Sequence, residues 1–347
     1  MIARYDGGRR VAEDVLWYEL GTAWGLPQDA DADSYLRAVL LDAMSEKRDI
    51  CVQGTASKTL VRNLVELQSA WHRWLPDTFH TVSIDADELR DRETPKPGAV
   101  SAFSLGVDSM FTVWRHTQRK LGNGSIDIRL GVLTHGFDIP LSATDAFEKV
   151  RRTAAATLDE LGLPLADIKT NFRQISHVNW EYTFGSALVA ALGNFKEAAG
   201  TGLVGSSNPY NALVLPWGSN PVTDHLLSAG DFAVVHDGAS HNRPEKISEI
   251  ANWETGCNNL RVCWEGKEYD RNCGKCEKCL RTMLNFLACG RTVPSCFSQE
   301  ENWRQNILRV RFANSAIRSD WVQILQTARI NQIKNQIFFW LWLMNGI

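Results

Sequence analysis

Segments typical of β-strands alternate with segments typical of helices through the middle of the chain, and this alternation constrains the fold more than any other feature. Strands are predicted at the short apolar runs 99–103, 128–133, 167–170, 203–205 and 232–235. Helices are predicted between them, over 108–121, 146–161 and 183–198. This pattern predicts an α/β fold, with a parallel sheet covered by helices on both faces. In such sheets ligands bind beyond the carboxyl ends of the strands, where the strand order reverses.

The first 90 residues show the same alternation on a smaller scale and predict a small α/β domain of their own. Its strands are predicted at 15–20, 49–53 and 80–85, and its helices at 33–45 and 59–74. Residues 91–98 carry two prolines and a glycine among charged residues, which is typical of a linker. The predicted organisation is an N-terminal domain at 1–90, a linker at 91–98, the main domain at 99–255, a cysteine-rich segment at 256–290 and a helical C-terminal tail at 291–347.

Composition limits the classes of protein that fit the chain. It has 347 residues, of which 44% are hydrophobic and 22% charged, and this mixture excludes a disordered protein. A net charge of −3 gives no overall attraction to nucleic acid or membranes. The chain begins without an apolar stretch of signal-peptide length, and its longest apolar run, 337–344, is far shorter than the about 20 residues of a membrane span. We therefore expect a cytoplasmic protein without a membrane partner, in which this run forms a docked helix or a homodimer contact.

A loop with the sequence Ser-Leu-Gly-Val-Asp-Ser, Ser104 to Ser109, joins the first strand of the main domain directly to a helix. A helix N-terminus offers unpaired N–H groups and a partial positive charge, so it attracts phosphate. Gly106 can take a positive φ and lets the backbone approach an anion closely. The alternative is structural, with Asp108 or Ser109 capping an ordinary helix.

This loop resembles the Ser-Gly-Gly-x-Asp-Ser loop of the PP-loop ATP pyrophosphatases, with Leu105 in place of the first glycine. The resemblance implies a Rossmann-like PP-loop fold that uses ATP and Mg²⁺ and cleaves ATP between the α and β phosphates. It implies that the pyrophosphate is held by Ser104, Leu105, Gly106, Val107, Asp108 and Ser109, with Asp108 and Ser109 in catalytic roles. Lys246 resembles the lysine that these enzymes place near the phosphates at a helix start; its alternative role is that of a solvated helix residue.

Seven of the eight cysteines fall between Cys257 and Cys296, and four of them have the spacing of a metal site. The candidate ligands are Cys263, Cys273, Cys276 and Cys279. Four thiolates at this spacing suit a tetrahedral, structural Zn²⁺, while an iron–sulfur cluster and unliganded thiols are the alternatives. Cys257 could replace Cys263 as the fourth ligand. The remaining cysteines are expected to be buried apolar residues: Cys51, Cys289 and Cys296.

The cysteine segment from Cys263 to Arg281 resembles the zinc segment of the 7-cyano-7-deazaguanine synthases, a branch of the PP-loop enzymes. The loop and the cysteines lie in the same order in that family, and the resemblance covers about residues 98–290. It implies that a carboxylate or carbonyl oxygen of a small molecule or nucleobase attacks the α-phosphate of ATP. A nitrogen nucleophile then displaces AMP and forms a C–N bond, as in a ligase.

The resemblance also suggests residues for the nucleoside and the substrate. Leu133 and Thr134 would read the adenine edge with main-chain groups, and His135 would contact ribose or phosphate; a plain turn is the alternative. Substrate contacts are expected from Ser206, Ser207, Asn208, Trp217 and Asp224. The synthases' Asp-Cys-Arg element is missing, so we expect a substrate other than 7-carboxy-7-deazaguanine.

Two other functions fit parts of the sequence. A PP-loop sulfur transferase acting on tRNA would need a reactive cysteine outside the metal site, and Cys257 is the candidate. A non-catalytic nucleotide-binding module would keep only the loop. The basic residues and tryptophans after residue 302 are compatible with RNA, but amphipathic helices docked on the core are favoured.

Overall fold

A computed structural model of the chain describes residues 1–6, 9–91, 94–297, 303–307, 310–312 and 315–334. The strands are β1 (Ile2–Asp6), β2 (Arg9–Asp14), β3 (Tyr18–Leu20), β4 (Ile50–Ser57), β5 (Ile84–Arg90), β6 (Ala99–Ala102), β7 (Ile128–His135), β8 (Leu165–Thr170), β9 (Thr201–Gly205) and β10 (Ala233–Asp237). The helices are α1 (Asp33–Glu46), α2 (Lys58–Trp74), α3 (Val107–Thr117), α4 (Thr144–Asp159), α5 (Phe172–Ile175), α6 (Trp180–Gly193), α7 (Arg243–Ile250), α8 (Glu254–Asn258), α9 (Glu277–Ala288), α10 (Trp303–Ile307) and α11 (Ser315–Ile330).

The centre of the fold is a six-stranded, mostly parallel sheet with the order β10-β9-β6-β7-β8-β3. The five strands from β10 to β8 run parallel, and β3 closes one edge antiparallel to β8. From β6 the chain moves to β7 and β8 on one side, and it then crosses to β9 and β10 on the other. The strand order therefore reverses between β6 and β9. The predicted α/β architecture with a largely parallel sheet is confirmed.

Helices cover both faces of this sheet, which explains why all four residues of β6 are buried. On one face α3, α4, α7, α9 and α11 enclose a core that includes Phe111, Leu158, Ile247 and Met283. On the other face α1, α2 and α6 enclose a second core around Leu40, Trp71 and Leu192. We call these the α3-side core and the α6-side core. Burying each large apolar side chain in them contributes about 1.5 to 3 kcal/mol.

The N-terminal 90 residues share the α6-side core with the main sheet, which differs from the expectation of a separate small domain. Strand β3 pairs with β8, so that Tyr18 lies opposite Thr170 and Leu20 opposite Ile168. Helix α1 packs on α6, and β4 and β5 form a two-stranded parallel sheet beside α2. The physical reason is that α1 and α2 bury their apolar faces against a sheet face that α6 covers only in part.

Buried ion pairs also join the N-terminal residues to the main domain. The Arg90 guanidinium lies 2.8 Å from the Asp33 carboxylate and 3.1 Å from that of Asp31. The Lys196 ammonium pairs with Asp31 and, at 2.6 Å, with Asp231. The Lys196–Asp31 pair, and an Arg90–Asp231 pair at 3.5 Å, connect residues on both sides of the predicted linker, and the sequence pattern gave no signal for them.

Strand β5 begins at Ile84, later than the strand predicted at 80–85. The residues before it pack against α2, where Phe79 is fully buried and its ring lies edge-on to Trp71 at 5.3 Å. The strand-like pattern at 80–85 came in part from a loop residue, Val82, which packs against the α6-side core and whose N–H donates to the Gln68 side chain of α2 at 2.7 Å. The helix predicted over 108–121 ends at Thr117, because the chain enters a tight turn before Gly122.

Part of the C-terminal tail packs on the α3-side core. Helix α11 buries Trp321 and Ile324, and the Trp321 indole N–H donates to the Glu277 carboxylate at 2.6 Å. This agrees with a docked helix for residues 315–330. The apolar run at 337–344 lies outside the described residues. In the part of the chain that the structure describes, no helix combines the length and apolarity needed to span a membrane.

Candidate functional site

The Ser104–Ser109 loop follows β6 and leads into α3 as a tight turn. The Ser109 hydroxyl donates to the Gly106 carbonyl at 3.0 Å and accepts from the Ser104 N–H at 3.3 Å. Helix α3 begins at Val107 with Gly106 as its N-cap, so neither Asp108 nor Ser109 is the cap residue. No side chain caps this end within the described residues, so its first N–H groups are available to an anion.

Leu105 adopts the left-handed backbone conformation in this loop, with a φ of +64°. Gly106 has a φ of −76° and a ψ of 159°, so it does not use the positive φ that a glycine allows. A leucine in this conformation carries a strain of about 1 to 2 kcal/mol. Its side chain is only 1% exposed, and its carbonyl accepts from the Arg261 N–H at 2.9 Å. This burial and this hydrogen bond hold the leucine in place.

The loop lies at the reversal of the strand order, between the carboxyl ends of β6 and β9. Strand β9 ends at Gly205, where a Cβ atom would lie 2.9 Å from the Asp108 carbonyl oxygen. Ser206 follows, its N–H donating to the Asp237 carbonyl at 2.7 Å and its hydroxyl to the Asn208 carbonyl at 2.7 Å. The structure therefore brings the predicted substrate residues 206–208 against the predicted phosphate residues.

Helix α7 begins with a capping box next to the Ser104–Ser109 loop. The Asn242 side chain accepts from the Glu245 N–H at 2.9 Å, and the Glu245 carboxylate accepts from the Asn242 N–H at 2.7 Å. Pro244 lies in the first turn, where its missing N–H costs no helical hydrogen bond. This local sequence fixes the start of the helix predicted there and directs its first side chains toward the loop.

Two cations of α7 pair with the Asp108 carboxylate. The Lys246 ammonium lies 2.9 Å from Asp108 Oδ1, and the Arg243 guanidinium lies 2.9 Å from Oδ2. Lys246 is 1% exposed and also donates to the Ser206 carbonyl, while Arg243 reaches the Ser207 carbonyl at 3.5 Å. Lys246 is therefore a buried group of the loop site, and the alternative of a solvated lysine is wrong.

The pKa shifts in this cluster follow from burial and charge. Burial alone would raise the pKa of Asp108, but Arg243 and Lys246 outweigh burial and hold it below its ordinary value. Burial lowers the pKa of Lys246, and Asp108 compensates only in part. Asp108 is thus an anion beside two cations. Two cations beside one carboxylate leave a net positive charge at the loop, which can attract an anion.

Lys278, which lies between two of the predicted metal ligands, is close enough to the loop to interact electrostatically with Asp108. Lys278 lies in the first turn of α9; burial lowers its pKa, and Asp138 and Asp108 act on it in the opposite direction. Arg281 forms ion pairs with Glu277 at 2.9 Å and with Asp320; burial lowers its pKa overall, although Asp108 acts to raise it. The position of Lys278 near the helix start could have been predicted, because the cysteine spacing indicates where α9 begins.

The four predicted metal ligands lie together in the structure. The Sγ atoms of Cys263 and Cys276 are 3.8 Å apart, those of Cys273 and Cys279 are 3.9 Å apart, and all four lie within 4.8 Å of one another. A tetrahedral zinc with bonds of about 2.3 Å separates its ligands by about 3.8 Å. Gly274 takes a φ of +68° in the turn between two ligands. The four thiols can therefore bind a metal such as zinc.

The other cysteines lie outside this cluster. Cys257 is buried, donates to the Ile250 carbonyl at 3.3 Å and is not part of the group, so it does not replace Cys263. Burial raises the pKa of the Cys257 thiol to about 11. Cys289 and Cys296 are half-buried, and burial raises their pKa values to about 11 and about 12. Cys51 is exposed on β4, so the expectation that it is buried is wrong.

The predicted nucleoside residues lie at the carboxyl end of β7. Leu133 is buried and Thr134 half-buried. The His135 ring is buried, stacks on Phe147 with a centroid distance of 4.1 Å and lies 3.0 Å from the Pro140 carbonyl through Nε2. Burial lowers its pKa. The His135 side chain is therefore held inside the turn, and only main-chain groups there remain as contacts for a nucleoside.

Of the remaining predicted substrate residues, Trp217 is half-buried and Asp224 is fully buried. The Trp217 ring lies edge-on to Phe184 at 5.7 Å, and its indole N–H has no acceptor among the described residues. The Asp224 carboxylate accepts from Ser219 at 2.6 Å and from the Asn220 N–H at 2.9 Å. Asp224 is thus an inward-facing group of the loop after β9.

The chain was also compared with protein-family models, with curated proteins and with solved structures, and none of them matches it.

Proposed function

We propose that this chain is an ATP-dependent, AMP-forming enzyme of the PP-loop class, similar to the 7-cyano-7-deazaguanine synthases. A carboxylate or carbonyl oxygen of a small molecule or nucleobase attacks the α-phosphate, and pyrophosphate leaves. A nitrogen nucleophile then displaces AMP. The observation that carries the proposal is the Ser104–Ser109 loop at the reversal of the strand order, with Arg243 and Lys246 beside it.

The charges around the loop suit pyrophosphate as a leaving group. The free N–H groups at the start of α3 and the cations of α7 stabilise negative charge as it develops on the phosphates. Asp108 fits as a ligand of Mg²⁺, because its carboxylate points into the same cluster and carboxylate oxygens are ligands that Mg²⁺ prefers. Bound Mg²⁺ would supply further charge neutralisation. A phosphate held by Arg243 and Lys246 would leave the Asp108 carboxylate to hold the metal.

The cysteine site has a structural role in this proposal. A site with four thiolate ligands leaves no open position for a substrate. Cys276 and Cys279 flank the start of α9, the helix that carries Lys278 toward the loop. A zinc ion would therefore fix the position of a cation that faces the phosphates.

The alternative of a tRNA sulfur transferase is less well supported. Such an enzyme attacks with a thiolate, and the thiolate fraction of Cys257 is very small because burial raises its pKa to about 11. The sulfur is also engaged with the Ile250 carbonyl. A non-catalytic nucleotide-binding module would share the loop, and product analysis separates it from an enzyme.

The test is incubation with α-labelled ATP, Mg²⁺, ammonium chloride and a panel of small carboxylic acids that includes heteroaromatic ones, followed by separation of AMP and ADP. We expect AMP and pyrophosphate in equal amounts. Lys246→Met and Ser109→Ala should lower AMP formation at least about 100-fold, while Lys120→Met, at an exposed lysine, should not change it. ADP as the product would contradict PP-loop chemistry. Binding of ATP without any AMP would identify a nucleotide-binding module.

A further inference from the structure

A second polar cluster lies at the carboxyl end of β10, on the opposite side of the sheet from the residues that bind Asp237. It consists of Ser219, Asp224 and His236. One oxygen of Asp224, Oδ2, accepts from the Ser219 hydroxyl at 2.6 Å and lies 2.7 Å from His236 Nδ1. The side chains of Asp224 and His236 are 1% and 5% exposed. Sequence reasoning proposed Asp224 but gave no role to Ser219 or His236.

The hydrogen bonds determine which nitrogen of His236 carries a proton. Asp224 accepts from Ser219 and from the Asn220 N–H, so it is an acceptor on every side. Nδ1 of His236 must therefore donate to it, and a neutral ring then has its lone pair on Nε2. Nε2 is buried and has no hydrogen-bond partner within the described residues. In an Asp–His pair of this kind, Nε2 can act as a base and accept a proton from a group that contacts it.

The His236 backbone lies one residue along β10 from the position that pairs with the end of β9, next to the proposed adenylation site. His236 lies opposite Val204 on β9, and the next pair of the register is Asp237 with Gly205. Gly205 is the residue that touches the Asp108 backbone. Ser219 and Trp217 lie on the loop that follows residues 206–208, and that loop is fixed to α6 by a 2.8 Å hydrogen bond from the Gly218 N–H to the Glu181 carbonyl.

We propose that His236, oriented by Asp224, is the general base for the nitrogen nucleophile of this enzyme; this inference rests on the proposed function. The amine nitrogen attacks the adenylated carbon, and a C–N bond forms. The bond from that carbon to the AMP oxygen breaks, and AMP leaves with the electron pair. One N–H proton of the attacking nitrogen passes to Nε2, which leaves an imidazolium beside the Asp224 carboxylate. Asp224 is a positioning residue; Ser219 donates to the same carboxylate oxygen that His236 contacts, and the Asn220 N–H holds the other.

The state of the ring can be tested without a substrate. Long-range ¹H–¹⁵N spectra of histidine-labelled protein, assigned with His236→Gln, should show a proton on Nδ1 and none on Nε2 of His236. Asp224→Asn should change this tautomer, because its amide can donate to Nδ1, while Asp145→Asn, at an exposed position, should not. A proton on Nε2 of the neutral ring in the unaltered protein would overturn the proposal.

Kinetics separate this inference from the proposed function. Pyrophosphate exchange into ATP, driven by the same acid panel, reports adenylation, and AMP formation with ammonium chloride or hydroxylamine reports the second step. His236→Gln should leave exchange within about twofold of the unaltered protein and slow the ammonium reaction about 100-fold. Hydroxylamine, a stronger nucleophile, should be slowed less. The control is His225→Gln, an exposed histidine nearby.

Each result of this experiment decides one of the two proposals. If His236→Gln keeps the full ammonium rate, His236 is not the base, although the adenylation proposal stands. If exchange falls as much as the second step, His236 supports the fold and the inference is overturned. If the unaltered chain shows neither exchange nor AMP, both proposals are overturned.

Discussion

At the scale of single residues, Leu105 shows how a leucine can be tolerated in the left-handed conformation. Its backbone has a conformation that glycine adopts most readily, while its side chain fills the α3-side core. Two energies of similar size oppose each other here. The left-handed conformation costs about 1 to 2 kcal/mol, and burial of the leucine side chain contributes about 2 to 3 kcal/mol.

Substitutions at Leu105 should separate these two energies. Leu105→Ala removes the buried side chain but keeps the strain, and we expect it to lower the free energy of unfolding by about 3 kcal/mol. Leu105→Gly removes one atom more and also the strain, so it should be more stable than the alanine variant by about 1 kcal/mol. Urea denaturation of the three proteins measures both differences. An alanine variant as stable as the glycine variant would show that position 105 carries no strain.

Asp237 gives a prediction about pH. Its carboxylate accepts from Thr112 at 2.9 Å and lies 3.1 Å from His116 and 3.2 Å from Arg115. Burial alone would raise its pKa, but the partners on α3 outweigh burial and lower it. A carboxyl group whose pKa is lower in the folded state stabilises the protein above its unfolded pKa of about 4 and loses this effect as the pH falls through the folded value.

We therefore expect Asp237→Asn to lower the free energy of unfolding at pH 7 by more than at pH 3. At pH 7 the variant loses a buried charged group with three partners, a change of about 2 to 4 kcal/mol. Near pH 3, below the unfolded pKa of about 4, the unfolded chain takes up a proton at this carboxyl more readily than the folded protein, so the difference should shrink. Urea denaturation at both pH values measures it; Asp127→Asn, in an exposed ion pair, is the control. A difference that grows toward acid would contradict the sign of the shift.

At the scale of elements, the sequence predicted most of what positions the site. The order β6, loop, α3 follows from an apolar run, a glycine and an amphipathic segment, and the start of α7 follows from its capping box. The buried position of the His135 side chain could not be predicted, because it depends on the packing of Phe147 from α4 against the His135 ring. The Asp224–His236 contact joins residues of two elements through a loop whose path no local pattern fixes.

The cysteine segment yields a prediction about metal removal. The purified protein should contain about one zinc per chain, and Cys279→Ser should lose the metal and lower the melting temperature, because structural zinc contributes directly to folding. Cys257→Ser is the matched control: it removes a neighbouring buried thiol that is not a ligand and should keep the zinc. Elemental analysis and thermal unfolding measure these effects. Iron with inorganic sulfide would favour the cluster alternative, and a metal-free native protein would refute the site.

At the scale of the whole molecule, the chain forms a larger α6-side core than its linker-like segment suggested. Local patterns predicted α1 and α2 well, but they carry no information about which sheet face these helices cover. The segment 91–98 has linker composition, and yet the Lys96 carbonyl accepts from the Gly200 N–H at 2.9 Å. A charged segment on the surface of a single domain can have the same composition as a linker between two domains, so composition alone does not distinguish them.

The buried ion pairs around Lys196 should therefore stabilise the whole molecule. Burial lowers the pKa of Lys196, but Asp231 and Asp31 outweigh burial and raise it, so the ammonium is charged at every pH below about 10. Lys196→Met leaves two carboxylates without this partner in a buried position, and we expect the free energy of unfolding to fall by about 3 to 5 kcal/mol. Lys96→Met removes a lysine from an exposed pair with Glu197 and should cost at most about 1 kcal/mol.

Denaturant unfolding followed by two probes tests whether this effect is global. Tryptophan fluorescence and far-ultraviolet circular dichroism should give one shared transition in the unaltered protein, and Lys196→Met should move both signals to lower denaturant together. The shared α6-side core is the reason, because residues before and after the linker-like segment lose the same buried contacts when it opens. Two separated transitions, with only one displaced by Lys196→Met, would instead show that the first 90 residues unfold as a unit of their own.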